Sequence, residues 1–237
     1  MRVVLLHALP FDARMWDIAG SPMDGALAPD LYTLGDSLQE WASAILDDCR
    51  GEEMVLVGSS VGGSCALEIA RASPGQVRGI VLVGAKATVR PDPELRDAAV
   101  KVLDTEGIAG AWRRYWAPLF GPGTDPAVLR AARDLAFEQD VDALIRGIRT
   151  FHDRRDHADF ISTWNRHLVV VTGAHDRTPT PAAAAASLGG AAHRSVIVQN
   201  CGHYVPLEQP AVFDEILARQ FRHLGPVGVW SGARLGA

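Results

Sequence analysis

Little in this sequence points to a metal, a membrane or a nucleic acid. Its three cysteines, Cys49, Cys65 and Cys201, are odd in number and widely spaced, a pattern of neither a disulfide framework nor a zinc site. Long apolar runs are missing as well. Met1-Arg2-Val3-Val4-Leu5-Leu6-His7 starts like a signal peptide, but its apolar run stops after four residues, where a leader needs about 7–15. Nothing approaches the roughly 18 apolar residues of a membrane span. There is no basic excess either: 23 Lys and Arg stand against 28 Asp and Glu, a net charge of −5. An unpatterned negative balance excludes nucleic acid and anionic membrane as main partners. A reduced, cytoplasmic protein is the expectation.

What is present is a core. With 237 residues, 48% of them apolar, the chain can bury about 70–75% of its unfolded surface as one large domain, without metal or disulfide. Short Val-rich runs that do not alternate recur at Val3–Leu6, Met54–Val57, Ile80–Val83, Leu168–Val171 and Ser195–Val198, with Asp30–Leu34 a weaker sixth. Such runs are the signature of strands buried on both faces of a parallel sheet. Helical stretches lie between them, at Ser37–Cys49, Ser60–Ala72, Pro179–Leu188 and Pro210–Phe221. The alternation predicts an α/β fold with a doubly wound, mostly parallel sheet and right-handed crossovers.

One interval breaks that rhythm. From Lys86 to Arg166 the sequence reads as helices only, at Asp92–Asp104, Ile108–Trp116, Pro126–Phe137 and Val141–Phe151, punctuated by Pro91, Pro93, Pro118 and Gly121-Pro122-Gly123. The expected organisation is a core of residues 1–85 and 167–224, a helical cap insertion at 86–166, and a Gly-rich disordered tail at 225–237.

Gly58-Ser59-Ser60-Val61-Gly62-Gly63 fits G-x-S-x-G between the strand Met54–Val57 and the helix Ser60–Ala72, the strand–turn–helix setting in which a serine can be a nucleophile. Gly58 and Gly62 would remove Cβ atoms that collide at so sharp a turn. The competing reading is a plain glycine turn with Ser60 as an N-cap. A serine nucleophile needs a base and an orienting acid. His203 lies in Asn200-Cys201-Gly202-His203-Tyr204-Val205-Pro206, after the strand Ser195–Val198, and Asp176 lies in Thr172-Gly173-Ala174-His175-Asp176-Arg177, after Leu168–Val171. All three residues thus fall at C-terminal strand ends, where open α/β sheets place ligands, in the chain order Ser, Asp, His. For an oxyanion hole the candidate donors are the backbone N–H groups of Val61 and of Leu9, in the loop after the first strand, with His7 hydrogen-bonding inside that loop.

Other candidates read as ordinary. His175 is a polar loop residue. Gly84-Ala85-Lys86, after Ile80–Val83, offers no carboxylate. His152 and His157, in the charged run Phe151–His157, read as a solvated helix end, and His167, His193 and His223 as lone surface residues. Cys201 reads as a small buried residue. In the insertion, Trp112 and Trp116 stand i, i+4, with Tyr115, Leu119 and Phe120 close by; they either line an apolar pocket over Ser60 or pack the insertion onto the sheet. Arg113 and Arg114 face water or hold a substrate carboxylate.

At the elbow Gly58–Gly63, at Leu5-Leu6-His7-Ala8-Leu9-Pro10-Phe11 with Met15-Trp16, at Gly173–Pro179 with Asp176, and at Gly202-His203 with Glu208-Gln209-Pro210, the sequence resembles the α/β-hydrolase superfamily. It is similar to the small, capped esterase, lactonase and C–C hydrolase branch. The resemblance implies a Ser60–His203–Asp176 triad that cleaves a small carboxylic ester or lactone through an acyl-enzyme, without cofactor or metal. C–C hydrolysis, a hydroxynitrile-lyase-like reaction and a non-catalytic ligand-binding protein are the other activities it admits. Two departures stand out: His7-Ala8 replaces the family's usual His-Gly, and the family's first antiparallel strands are expected to be missing.

Overall fold

In the computed structural model, residues 1–20, 25–88, 92–189 and 193–224 are described, apart from the side chain of His223; the expected tail at 225–237 lies outside them. Five strands, β1 (Arg2–Leu6), β2 (Met54–Ser59), β3 (Val77–Val83), β4 (His167–Gly173) and β5 (Arg194–Val198), form one sheet in the order β1-β2-β3-β4-β5, all parallel. Every residue of β2 is buried, which is why its sequence shows no alternation. β5 differs from its reading as a strand covered on both faces. It is an edge strand in which Arg194, Ser195 and Ile197 are exposed.

The sixth strand candidate is not a strand. Leu31–Thr33 is a 3₁₀ turn, capped by Asp30, whose side chain accepts from Tyr32 N–H. The chain instead touches the β1 edge one turn earlier. Leu27 accepts from Leu5 N–H at 2.8 Å and donates to the Val3 carbonyl at 2.9 Å. That step back beyond β1 is what makes the sheet doubly wound, because right-handed crossovers in opposite directions lie on opposite faces. Helix α1 (Met15–Ile18) belongs to the backward step, and its Trp16 stacks on Phe213 of the last helix at 6.3 Å. Helices α2 (Leu38–Asp48) and α3 (Val61–Ala72) belong to the forward steps and pack on each other.

Between β3 and β4 the described residues hold no strand. They form α4 (Pro93–Ala111), a π-type turn at Trp112–Trp116, α5 (Pro126–Phe137), α6 (Val141–His152) and α7 (Ala158–Thr163). Gly107, at φ +65°, kinks α4 where the sequence suggests a break before Ile108. Helix α8 is shorter than its reading, at Pro181–Ala186, with Thr180 as its N-cap. α9 (Val205–Glu208) and α10 (Pro210–Leu224) are the last helices among the described residues. No helix among the described residues is long and apolar enough to cross a membrane.

The strand register positions the site. Leu6 pairs with Gly58, Ser59 with Val83, Val83 with Val171, and Gly173 with Val198. The C-terminal ends therefore lie along one line, and the loops that follow them meet at one edge of the sheet.

Candidate active site

Ser60 sits directly after β2 with φ +53° and ψ −113°, a conformation that costs an L-residue about 1–3 kcal/mol. The turn is too tight for side chains. A Cβ on Gly58 would lie 2.3 Å from the Gly62 carbonyl oxygen, and one on Gly62 would lie 2.2 Å from the Leu6 oxygen and 2.7 Å from that of His7. The glycines thus let the elbow and the β1 loop touch backbone to backbone. Because these neighbours are main chain and cannot swing aside, Gly62→Ala should lower unfolding stability by at least ~2 kcal/mol, read from urea denaturation; an unchanged midpoint would show that the contact is not rigid.

That contact places two candidate donors on adjoining segments. Val61 opens α3, where the first N–H groups have no partner within the helix. In the β1 loop, Ala8 N–H goes to the Met15 sulfur at 3.2 Å and Phe11 N–H to the Ala8 carbonyl at 2.8 Å, while Leu9 N–H has no acceptor among the described residues. The loop is held from outside. His7 is fully buried and its Nε2 accepts from Leu31 N–H at 2.9 Å, so the 3₁₀ turn that replaces a strand anchors this loop. The Tyr204 hydroxyl donates to the Leu9 carbonyl at 3.0 Å.

His203 and Asp176 are both 3% exposed. Asp176 Oδ2 accepts from His203 Nδ1 at 2.9 Å, and its Oδ1 accepts from Thr178 N–H at 2.8 Å. Position 84, directly after β3, has no room for a side chain: at φ +56°, a Cβ on Gly84 would lie 2.8 Å from the His203 carbonyl and 3.0 Å from the ring. Ser60 and His203 line one cavity of about 160 Å³, without a hydrogen bond between them among the described residues.

Glu208, quoted above only as part of a motif, locks the histidine loop. Its buried carboxylate accepts from Gly202 N–H at 2.9 Å and Tyr204 N–H at 3.0 Å, on either side of His203, and from Gly121 N–H and the Thr124 hydroxyl, both at 2.7 Å. One carboxylate thus ties this loop to the segment that leads into α5.

The aromatic cluster divides. Tyr115 and Trp116 line the cavity, together with Leu9, Leu119 and Ile148. Trp112 and Phe120 are not among the lining residues. They pack on each other at 5.9 Å, Trp112 on Phe137 at 6.4 Å, and Phe120 on Tyr204 at 4.7 Å, because burial against other rings satisfies them as well as a ligand would. Arg113 is a surface group facing Glu106 at 3.6 Å.

The run Phe151–His157 is not a solvated helix end. Phe151 and His152 line the cavity, and burial first, then the Arg154 charge, pull His152 below the usual imidazole range. His157 is 2% exposed, beside the buried Glu68 of α3, which forms an ion pair with Arg155 at 2.9 Å. His167 is half-buried and hydrogen-bonded to Gln220 at 2.9 Å. His175 is exposed, in line with a polar loop. Burial pushes the Cys201 thiol well above its ordinary range, which makes it a poor nucleophile.

Comparison with known proteins adds a family. The sequence profile described as the alpha/beta hydrolase family matches residues 3–216. Among solved structures, a malate-bound thermophilic esterase from Thermogutta terrifontis superposes with a TM-score of 0.86 at 21% identity, over 95% of this chain and 91% of that one. An enol-lactonase from Burkholderia xenovorans LB400 gives 0.80 at 18%, over 93% and 90%, and MenH from S. aureus gives 0.79 at 16%, over 95% of each. At these identities the likeness is one of fold. No significant match was found among curated proteins.

Proposed function

The chain belongs to the alpha/beta hydrolase family, and on that premise we propose that it is a serine hydrolase of small carboxylic esters or lactones, with Ser60, His203 and Asp176 as its triad. The carrying observation is the convergence of a strained serine and a buried His–Asp pair on one cavity at the C-terminal edge of the sheet. In this reading Ser60 Oγ attacks the acyl carbon as His203 Nε2 takes its proton, and Asp176 holds the Nδ1–H tautomer and stabilises the imidazolium. The N–H groups of Val61 and Leu9 receive the oxyanion, each worth about 3–4 kcal/mol in comparable sites. His203 then protonates the leaving alkoxide. Water, giving its proton to the same nitrogen, releases the acid and restores Ser60. The helices of residues 86–166 act as a cap that supplies most of the apolar wall.

The cavity sets the acyl size. Its 160 Å³ is close to the roughly 150 Å³ that holds one benzene molecule. Among p-nitrophenyl esters from acetate to decanoate, turnover should therefore peak at about four to six carbons and fall steeply by decanoate. A folded protein that cleaves none of them and leaves Ser60 unlabelled by a fluorophosphonate would refute the hydrolase reading.

A further inference from the structure

A second, smaller compartment of about 30 Å³ shares Ser60, Phe151 and Thr178 with the cavity and is lined also by Ser64, Lys86 and Arg154. A water needs about 10–15 Å³ of such space, so the compartment takes about two oxygen-sized atoms. Two cations from different parts of the chain reach it: Lys86 from the loop after β3, and Arg154 from the link between α6 and α7.

Among the described residues neither has a counter-charge. Neighbouring arginines have found theirs: Arg155 pairs with Glu68 at 2.9 Å, and Arg96 with Asp97 at 2.9 Å and Asp153 at 2.8 Å. Among the described residues no carboxylate pairs with Lys86 or Arg154. Arg154 is nevertheless half-buried and held in place. Its guanidinium lies over the Phe151 ring, 3.8 Å from the centroid, and its Nη1 donates to the Phe151 carbonyl. Burial without a facing acid lowers it to about 10, which leaves it cationic at neutral pH. A desolvated cation costs free energy unless an anion meets it. A rigid, stacked guanidinium spends little entropy on receiving one. Ser64 and Thr178 add hydroxyl donors to a wall completed by Gly84, Ala85, Phe151 and Pro179.

We propose that Lys86 and Arg154 form a carboxylate-binding subsite, and that the preferred substrates are small esters or lactones bearing a second, anionic group. Monoesters of short dicarboxylic acids and lactone carboxylates have that chemistry. The proposal rests on the serine-hydrolase reading and names its substrate class. Arg113 and Arg114, the arginines that the sequence offers for such a role, do not line this compartment.

The test pairs two substrates with the same acyl length and the same leaving group, monoethyl succinate and ethyl butyrate, both followed by ethanol release. Wild type should favour the monoanion in kcat/KM by about 10–100-fold, the range of hydrogen bonds to charged groups. That ratio should fall at least ~10-fold in Lys86→Gln and in Arg154→Gln. Thermal unfolding checks folding, and Lys86→Gln, which removes no ring stack, serves if Arg154→Gln fails to fold. A wild-type preference for ethyl butyrate, or a ratio unmoved in the variants, overturns the subsite while Ser60 labelling and turnover leave the hydrolase standing. If Ser60 is inert and neither ester is cleaved, calorimetric titration with succinate decides: binding by wild type and not by Lys86→Gln retains the anion site, and no binding by wild type removes it.

Discussion

Ser60→Ala should lower kcat by about 10⁴–10⁶-fold, as loss of a nucleophile from a triad does elsewhere, and should leave the melting temperature nearly where it was. Activity and stability separate here because Ser60 Oγ makes no capping bond to α3, while its backbone carries the strain. Alanine keeps that strained φ and ψ, so the fold loses nothing it was using. Ser60→Gly sharpens the point. Glycine reaches φ +53°, ψ −113° without a Cβ penalty, so this variant should be equally inactive yet more stable than wild type by about 1 kcal/mol. A nucleophile held in a conformation that the fold would be better without is a trade of stability for reactivity. Retained turnover in Ser60→Ala would move the chemistry to another residue of the cavity. Joint loss of activity and folding would make Ser60 a structural part of the elbow.

The sheet and the turn that carries Ser60 are legible because few residue types satisfy their constraints. A strand with β2's burial must be a continuous apolar run, and a turn in which a Cβ would meet a carbonyl at 2.2 Å must be glycine. The departures arise where several arrangements satisfy the same residues. Leu31 and Tyr32 between Pro29 and Gly35 look like a short strand, but Asp30 turns its carboxylate back onto Tyr32 N–H, and Leu27 takes the sheet edge. Trp112 and Phe120 carry the same apolar signal as Tyr115 and Trp116; only the path of the chain decides which rings face a ligand and which face each other. The charged run Phe151–His157 misleads most, since local polarity says solvent. A signal elsewhere spoke against that: Glu68 lies in the apolar stretch Cys65-Ala66-Leu67-Glu68-Ile69-Ala70, and a carboxylate buried in a helix needs a cationic partner. Arg155 and His157 stand beside it, and Arg154, next in the chain, lines the smaller compartment beside Ser60. The subsite proposed here is therefore invisible in local composition and follows from a requirement 86 positions away along the chain.

Asp176→Asn should lower kcat by about 10⁴-fold, the cost of the wrong imidazole tautomer in a triad, with little loss of stability. The two hydrogen bonds of Asp176 fix this outcome. Oδ1 accepts from Thr178 N–H at 2.8 Å, so the asparagine must keep its carbonyl oxygen there, and its NH₂ group then faces His203 Nδ1 at the position from which Oδ2 now accepts at 2.9 Å. An NH₂ can only donate. His203 would answer with an unprotonated Nδ1 and carry its hydrogen on Nε2, where it cannot take a proton from Ser60. Both contacts survive, which is why the fold should not notice and the reaction should. Nitrogen-15 spectra of the His203 ring would show the tautomer directly, and the kinetic loss should appear in kcat rather than KM. A rate within tenfold of wild type, with the tautomer reversed, would leave Asp176 as a strut of the histidine loop and send the search for the acid to the other face of the ring. Position 84 is closed to that role, because a Cβ there would lie 3.0 Å from the ring.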